Sequence, residues 1–179
     1  GHEVQLSEEL LEAMSKELGD ECEKLALAGV SAIGYGCTSG SFFKSRGFDS
    51  RMVAVMKEAS GRLPATTATT AAIAVMRDRG YESIAFCSPY EESMHRKGAE
   101  YLGGEGFSVV GDACLGLMDE RDIAAVTVED LRALVARADR REAEAVFISC
   151  TGLHAVEALP VLSSDIGKPV LSSNQTLCE

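Results

Sequence analysis

The sequence predicts an α/β fold built on parallel sheet, and three observations carry that reading. Short apolar runs alternate with helical periodicities along the whole chain. Glycine or proline follows most of the periodic segments. The composition is 46% hydrophobic but only 6% aromatic, with no tryptophan. Strands that alternate with helices pair in parallel through right-handed crossovers. At 179 residues the chain can bury a real core, as one compact unit or two small lobes.

The elements follow in order. Ser7 caps a helix carrying Leu10, Leu11, Met14, Leu18, Cys22 and Leu25 on one stripe, with Gly29 placed to turn the chain at positive φ. Residues 31–36 form a short apolar strand that runs into Cys37-Thr38-Ser39-Gly40-Ser41. A helix spans 49–60 and ends at Gly61. Pro64 precedes a threonine run at 66–70 that opens a helix reaching Arg79. Residues 83–88 are a strand stopped by Pro89-Tyr90, 91–105 a helix and 107–111 a strand. An irregular stretch covers 114–126. Thr127 caps a helix to about Asp139. Residues 145–149 are a strand feeding Cys150-Thr151-Gly152, and a helix follows from near His154 to Asp165. Gly167-Lys168-Pro169 turns into a last strand at 170–172, and Ser173-Asn174-Gln175 opens a new segment.

The formal charge of −11 argues against nucleic acid or a membrane surface as partner, since either polyanion would repel the chain. It does not exclude a small anionic substrate, because local amide dipoles outweigh net charge at short range. No stretch approaches ~18 continuous apolar residues, and no signal peptide is visible. The six cysteines form no CxxC pair and match no zinc or disulfide spacing. Free thiols in a reducing cytoplasm are therefore expected.

One pattern stands out. Strand-Cys-Thr-Ser-Gly at residues 35–40 is echoed by strand-Cys-Thr-Gly at 149–152. Each motif sits at the carboxyl end of a predicted strand, where open α/β sheets place their ligand crevices. The small and hydroxyl residues that follow offer amides to a carboxylate or an enolate-like oxyanion. A helix N-terminus behind such a loop lowers a thiol pKa and favours thiolate chemistry. The plain alternative is two structural turns, each with a buried cysteine.

Three segments, GYGCTSGSFF, PATTATTAAIAVMRDRGYESIAFCSPYEE and VFISCTGLHAVEALPVLSSDIGKPVLSSNQ, resemble the maleate cis-trans isomerase and arylmalonate decarboxylase family of the aspartate/glutamate/hydantoin racemase group. The resemblance covers nearly the whole chain, in order. It implies two Rossmann-like lobes related by a pseudo-twofold, an active site in the cleft between them, and neither metal nor organic cofactor. The lobes would span residues 1–80 and 81–173, with 174–179 starting a return to the first.

By the same resemblance Cys37 and Cys150 are the catalytic positions. Arylmalonate decarboxylases resemble this chain at the second but carry glycine at the first, whereas maleate isomerases and two-base racemases have both cysteines. Two mechanisms stay open. In one, the Cys37 thiolate adds to a cis-dicarboxylate while Cys150 donates and accepts the proton. In the other, the two thiols work on opposite faces of a carbon acid. A non-catalytic small-molecule binding protein of the same fold is a third reading. Thr38, Ser39, Thr151 and Gly152 would offer amides and hydroxyls to substrate carboxylates, and Tyr90 matches a substrate-binding tyrosine. Asn174 reads as a loop residue closing the cleft.

Two departures matter. Glu120 stands where maleate isomerases usually carry a substrate-contacting asparagine. A carboxylate there repels a dicarboxylate and welcomes an amine. It points toward an amino-acid-like or amide substrate, including one in the breakdown of a compound such as ectoine. The strand that begins family members and the helix that ends them are also absent from the sequence. The chain is thus expected to be part of a longer protein, with roughly 40 residues missing at each end on the usual domain size. His154 reads as a cleft-rim histidine and His95 as solvated among Glu91, Glu92, Arg96 and Lys97. Cys22, Cys87 and Cys114 read as core, and leftover apolar stripes on the early helices as support for a homo-oligomer.

Overall fold

The computed structural model describes residues 8–44 and 47–179, so the expected Ser7 cap lies outside the described residues. Helix α1 (Glu8–Leu27) forms on the predicted stripe. Leu11, Leu18 and Cys22 are buried, while Met14 and Leu25 remain 38% and 44% exposed. Strand β1 (Ile33–Tyr35) leads to the short helix α2 (Thr38–Phe42), and α3 (Phe48–Ala59) follows. Strand β2 (Ala65–Thr67) then pairs in parallel with β1. The threonine run is therefore split. Thr66 and Thr67 finish a strand, and the Thr67 hydroxyl caps α4 (Ala68–Asp78) by accepting from the Thr70 amide at 3.0 Å.

The second sheet has four parallel strands. β3 (Ser83–Tyr90) runs straight through Pro89, where it was expected to stop. Proline gives no N–H to the ladder, and the pairing with the next strand shifts register between Ser88 and Tyr90 to accommodate it. Helix α5 (Glu92–Gly104) crosses to β4 (Ser108–Leu117). The stretch expected to be irregular thus holds the second half of an edge strand and the short helix α6 (Glu120–Ala124), capped by Asp119 accepting from the Arg121 amide at 2.7 Å. The β4 side chains are only partly covered, so its apolar alternation is weak in sequence. Helix α7 (Val128–Ala138) starts from a capping box between Thr127 and Asp130.

Strand β5 (Ala145–Ile148) is followed by a 3-10 turn at Val156–Ala158 and then α8 (Leu159–Ile166). The helix begins later than expected because Pro160 is tolerated only in a first turn. Gly167 ends α8 at φ 67, β6 (Val170–Ser172) follows, and the chain finishes in α9 (Ser173–Cys178). The strand order is β4-β3-β5-β6. β3 sits centrally and is buried on both faces, as parallel sheet requires. Ala85 and Cys87 face a core with Leu134, Val135 and Leu162, while Ile84 and Phe86 face one with Ile73, Met76 and Leu102. A third core joins α1, α3 and the small sheet through Leu18, Cys22, Ile33, Met52 and Met56. α9 packs on α4, and Leu177 reaches Gly34 of β1. Among the described residues no helix is long and apolar enough to cross a membrane.

His95 corrects the sequence reading, because it is 1% exposed rather than solvated. Its helix turns Met94, His95, Gly98 and Leu102 inward while the neighbouring charges stay outside. The ring stacks on Phe86 at 4.9 Å. Nδ1 meets the Ser88 hydroxyl at 2.8 Å and Nε2 meets Asp112 at 3.0 Å. Gly98 makes room for that stack, since a Cβ there would fall 2.7 Å from the Phe86 ring.

Candidate active site

Cys37 closes the run out of β1 in extended conformation and stands at the position just before α2, without a side-chain capping bond. Cys150 follows β5 at φ 103, a backbone region that L side chains rarely adopt. Tyr90 ends β3, beside β5. Tyr90 and Cys150 therefore flank the point where the chain turns one way to β4 and the other to β5, which is where such sheets bind ligands. The two cysteines line one cavity of about 340 Å³. Its other walls are Thr38, Ser39, Tyr90, Glu120, Thr151 and Gly152, with Gly36 and the α1 side chains Leu10 and Met14.

Hydroxyls hold the two cysteine loops together. The buried Ser173 oxygen accepts from the Thr38 hydroxyl at 2.9 Å and from the Cys150 amide at 3.2 Å. Thr151 donates across to the Gly36 carbonyl at 2.6 Å. The Thr38 and Thr151 hydroxyls are thus spent on structure, which leaves the backbone amides of these loops as the polar surface toward a ligand. Asn174 differs from its expected place. It lies in the first turn of α9, its amide donates to the Thr151 and Leu153 carbonyls at 3.1 Å each, and it lines a neighbouring cavity with the exposed His154. Cys22 and Cys87 are buried, whereas the half-buried Cys114 donates to Glu92 at 3.5 Å.

The electrostatics also depart from expectation. A depressed thiol pKa was expected at each loop, and both are instead raised, Cys150 up to about 11. Burial is the main cause for each. The Gly40 amide and the Ser39 hydroxyl, 3.8 Å from the sulfur, oppose it at Cys37. The Gly152 amide and Tyr90 oppose it at Cys150. Glu120 raises both thiols. It is the one charged side chain among the described residues that line the cavity. Tyr90 is itself fully buried, 3.4 Å from the Ser149 hydroxyl and edge-on to Phe42. Among the described residues, no three His, Cys, Asp or Glu side chains gather as a metal site would require.

The cavity joins thiols, a phenol and a carboxylate at the ends of two parallel sheets, an arrangement suited to moving protons at carbon or adding sulfur to it. A profile of the arylmalonate decarboxylase family matches residues 4–177, and the chain belongs to that family. It is similar to arylmalonate decarboxylase of Bordetella bronchiseptica, 28% identical over 165 residues, covering 91% of this chain and 68% of that one. It is similar as well to maleate isomerase of Alcaligenes faecalis, 25% identical, covering 86% of this chain and 63% of the relative. A liganded arylmalonate decarboxylase bearing a glycine-to-cysteine and a cysteine-to-serine substitution superimposes with a TM-score of 0.92 at 26% identity, over 98% of this chain and 75% of that one. Nocardia farcinica maleate cis-trans isomerase with a covalently bound succinylcysteine shares the fold at a TM-score of 0.91 and 21% identity, over 96% of this chain and 72% of that one. These neighbours have two α/β lobes, as the sequence led one to expect.

Sequence reasoning missed Ser173, the bridge between the loops, because one serine in a helix start carries no signal of its long-range partners. It also missed Leu10 and Met14 as cavity wall. Their signal was present in an apolar stripe on α1 wider than a core alone needs.

Proposed function

We propose that this chain provides the active site of a two-cysteine isomerase of the maleate cis-trans isomerase type, acting on a small carboxylic acid. The observation that carries the reading is that Cys37 and Cys150 line the same cavity from equivalent strand ends. Cys37 acts as the nucleophile. Once its proton has left to solvent, the thiolate forms an S–C bond to one alkene carbon. The π pair moves to the other carbon, which takes a proton from Cys150. The new single bond rotates, the Cys150 thiolate takes the proton back, and the S–C bond breaks to give the trans alkene. No atom is gained or lost. A thiol held neutral suits Cys150 as the proton donor, and the Gly40 amide and Ser39 hydroxyl suit Cys37 as the thiolate.

Glu120 favours a second reading, racemisation of an amino-acid-like substrate with the two thiols as opposed acid and base. No cation lines the described cavity to balance a dianion against that carboxylate, whereas a substrate amine would pair with it. Proton NMR in deuterium oxide separates the two. With maleate, fumarate signals that vanish in Cys37→Ala support isomerisation. Exchange of an α-proton in a chiral amino acid with no alkene signal supports racemisation, and no change with any carbon acid sinks both.

A further inference from the structure

We infer that the Tyr35 hydroxyl is a hydrogen-bond donor held for the Cys37 sulfur in its charged form, a positioning and activating residue that acts from behind the nucleophile. The inference rests on the reading of Cys37 as nucleophile. Tyr35 and Cys37 lie two apart in extended backbone, so both project to one side of the chain. There they meet over Gly40. The Tyr35 oxygen lies 2.6 Å, and the Cys37 sulfur 3.0 Å, from where a Gly40 Cβ would stand. The notch that holds both atoms exists only because that residue has no side chain.

The hydroxyl oxygen is buried, and among the described residues no group meets it with ordinary hydrogen-bond geometry. Buried polar atoms without partners are rare and call for a reason. Tyr35 is absent from the cavity wall, so it reaches the sulfur from the protein side and leaves the other face open to a ligand. A neutral thiol is a poor acceptor, whereas a thiolate accepts a charge-assisted bond from the phenol. Burial and the neighbouring sulfur push the phenol pKa up, so its proton stays in place to be donated, and the same contact lowers that of Cys37. No proton is transferred in this role.

Tyr35→Phe tests it, because it removes only the hydroxyl oxygen and keeps the ring. Iodoacetamide labelling across a pH series, with the Cys37 and Cys150 peptides quantified separately by mass spectrometry, reads each thiol without any substrate. The Cys37 rate at neutral pH is expected to fall roughly tenfold, its titration to move to higher pH, and that of Cys150 to stay in place. Gly40→Ala, which fills the notch, is expected to shift Cys37 in the same sense. An unchanged Cys37 titration in Tyr35→Phe, or equal shifts at both thiols, overturns the inference. Since no turnover is measured, this outcome stands apart from whether the enzyme isomerises.

Discussion

At the scale of single residues, the behaviour of the site turns on how burial competes with a few donors around two sulfurs. Both thiols are raised, so the thiolate population grows as pH climbs. kcat/KM for a reaction that needs one thiolate should therefore increase from neutral into alkaline pH. Glu120 contributes to that rise through its negative charge. Glu120→Gln is expected to lower both thiol pKa values and move the alkaline limb of kcat/KM to lower pH, with the two labelling titrations shifting alike. An unmoved limb would mean that the carboxylate points away from both sulfurs. The cysteines themselves were legible in the sequence as a repeated strand-Cys-Thr pattern. Their raised titration was not, because it depends on how deeply the loops are packed. Helix α2 has five residues, all buried, and its Gly40 amide meets the desolvated Cys37 thiol. Local sequence shows the helix start but not the lost water.

At the scale of elements, small residues set where helices meet strands. A Cβ on Gly111 of β4 would stand 2.1 Å from the Ala138 carbonyl at the end of α7. Backbone cannot yield there as a flexible side chain would. Gly111→Ala is expected to lower the midpoint of urea unfolding by an amount equivalent to about 1–3 kcal/mol, and a midpoint equal to the wild type would contradict the packing of α7 on β4. The longer, strongly periodic helices were readable from the sequence because one face decides them. β2 and the second half of β4 were not. Three residues at the head of a threonine run carry no alternation to read, and an edge strand with half-covered side chains carries little. His95 shows the same limit. Its charged neighbours suggested solvent, while the helical period, read strictly, places it with Gly98 and Leu102 against the sheet.

At the scale of the whole molecule, two parallel sheets of unequal size present their carboxyl ends to one cavity. The contacts that close it join segments far apart in sequence. Ser173 ties Thr38 to Cys150, and Thr151 ties its loop to Gly36. Folding that brings the last helix against α4 and β1 thereby assembles the pair of thiols. The central claim is that these thiols divide the work, Cys37 bonding to carbon and Cys150 moving the proton. The most direct measurement is mass spectrometry of Cys150→Ala incubated with maleate. In that variant water supplies the proton for addition, slowly, and without the Cys150 thiolate to take it back the adduct does not eliminate. The account predicts a stable succinyl addition on the peptide carrying Cys37, absent from Cys37→Ala. Full conversion to fumarate by Cys150→Ala, or the addition found on any other cysteine, would contradict it.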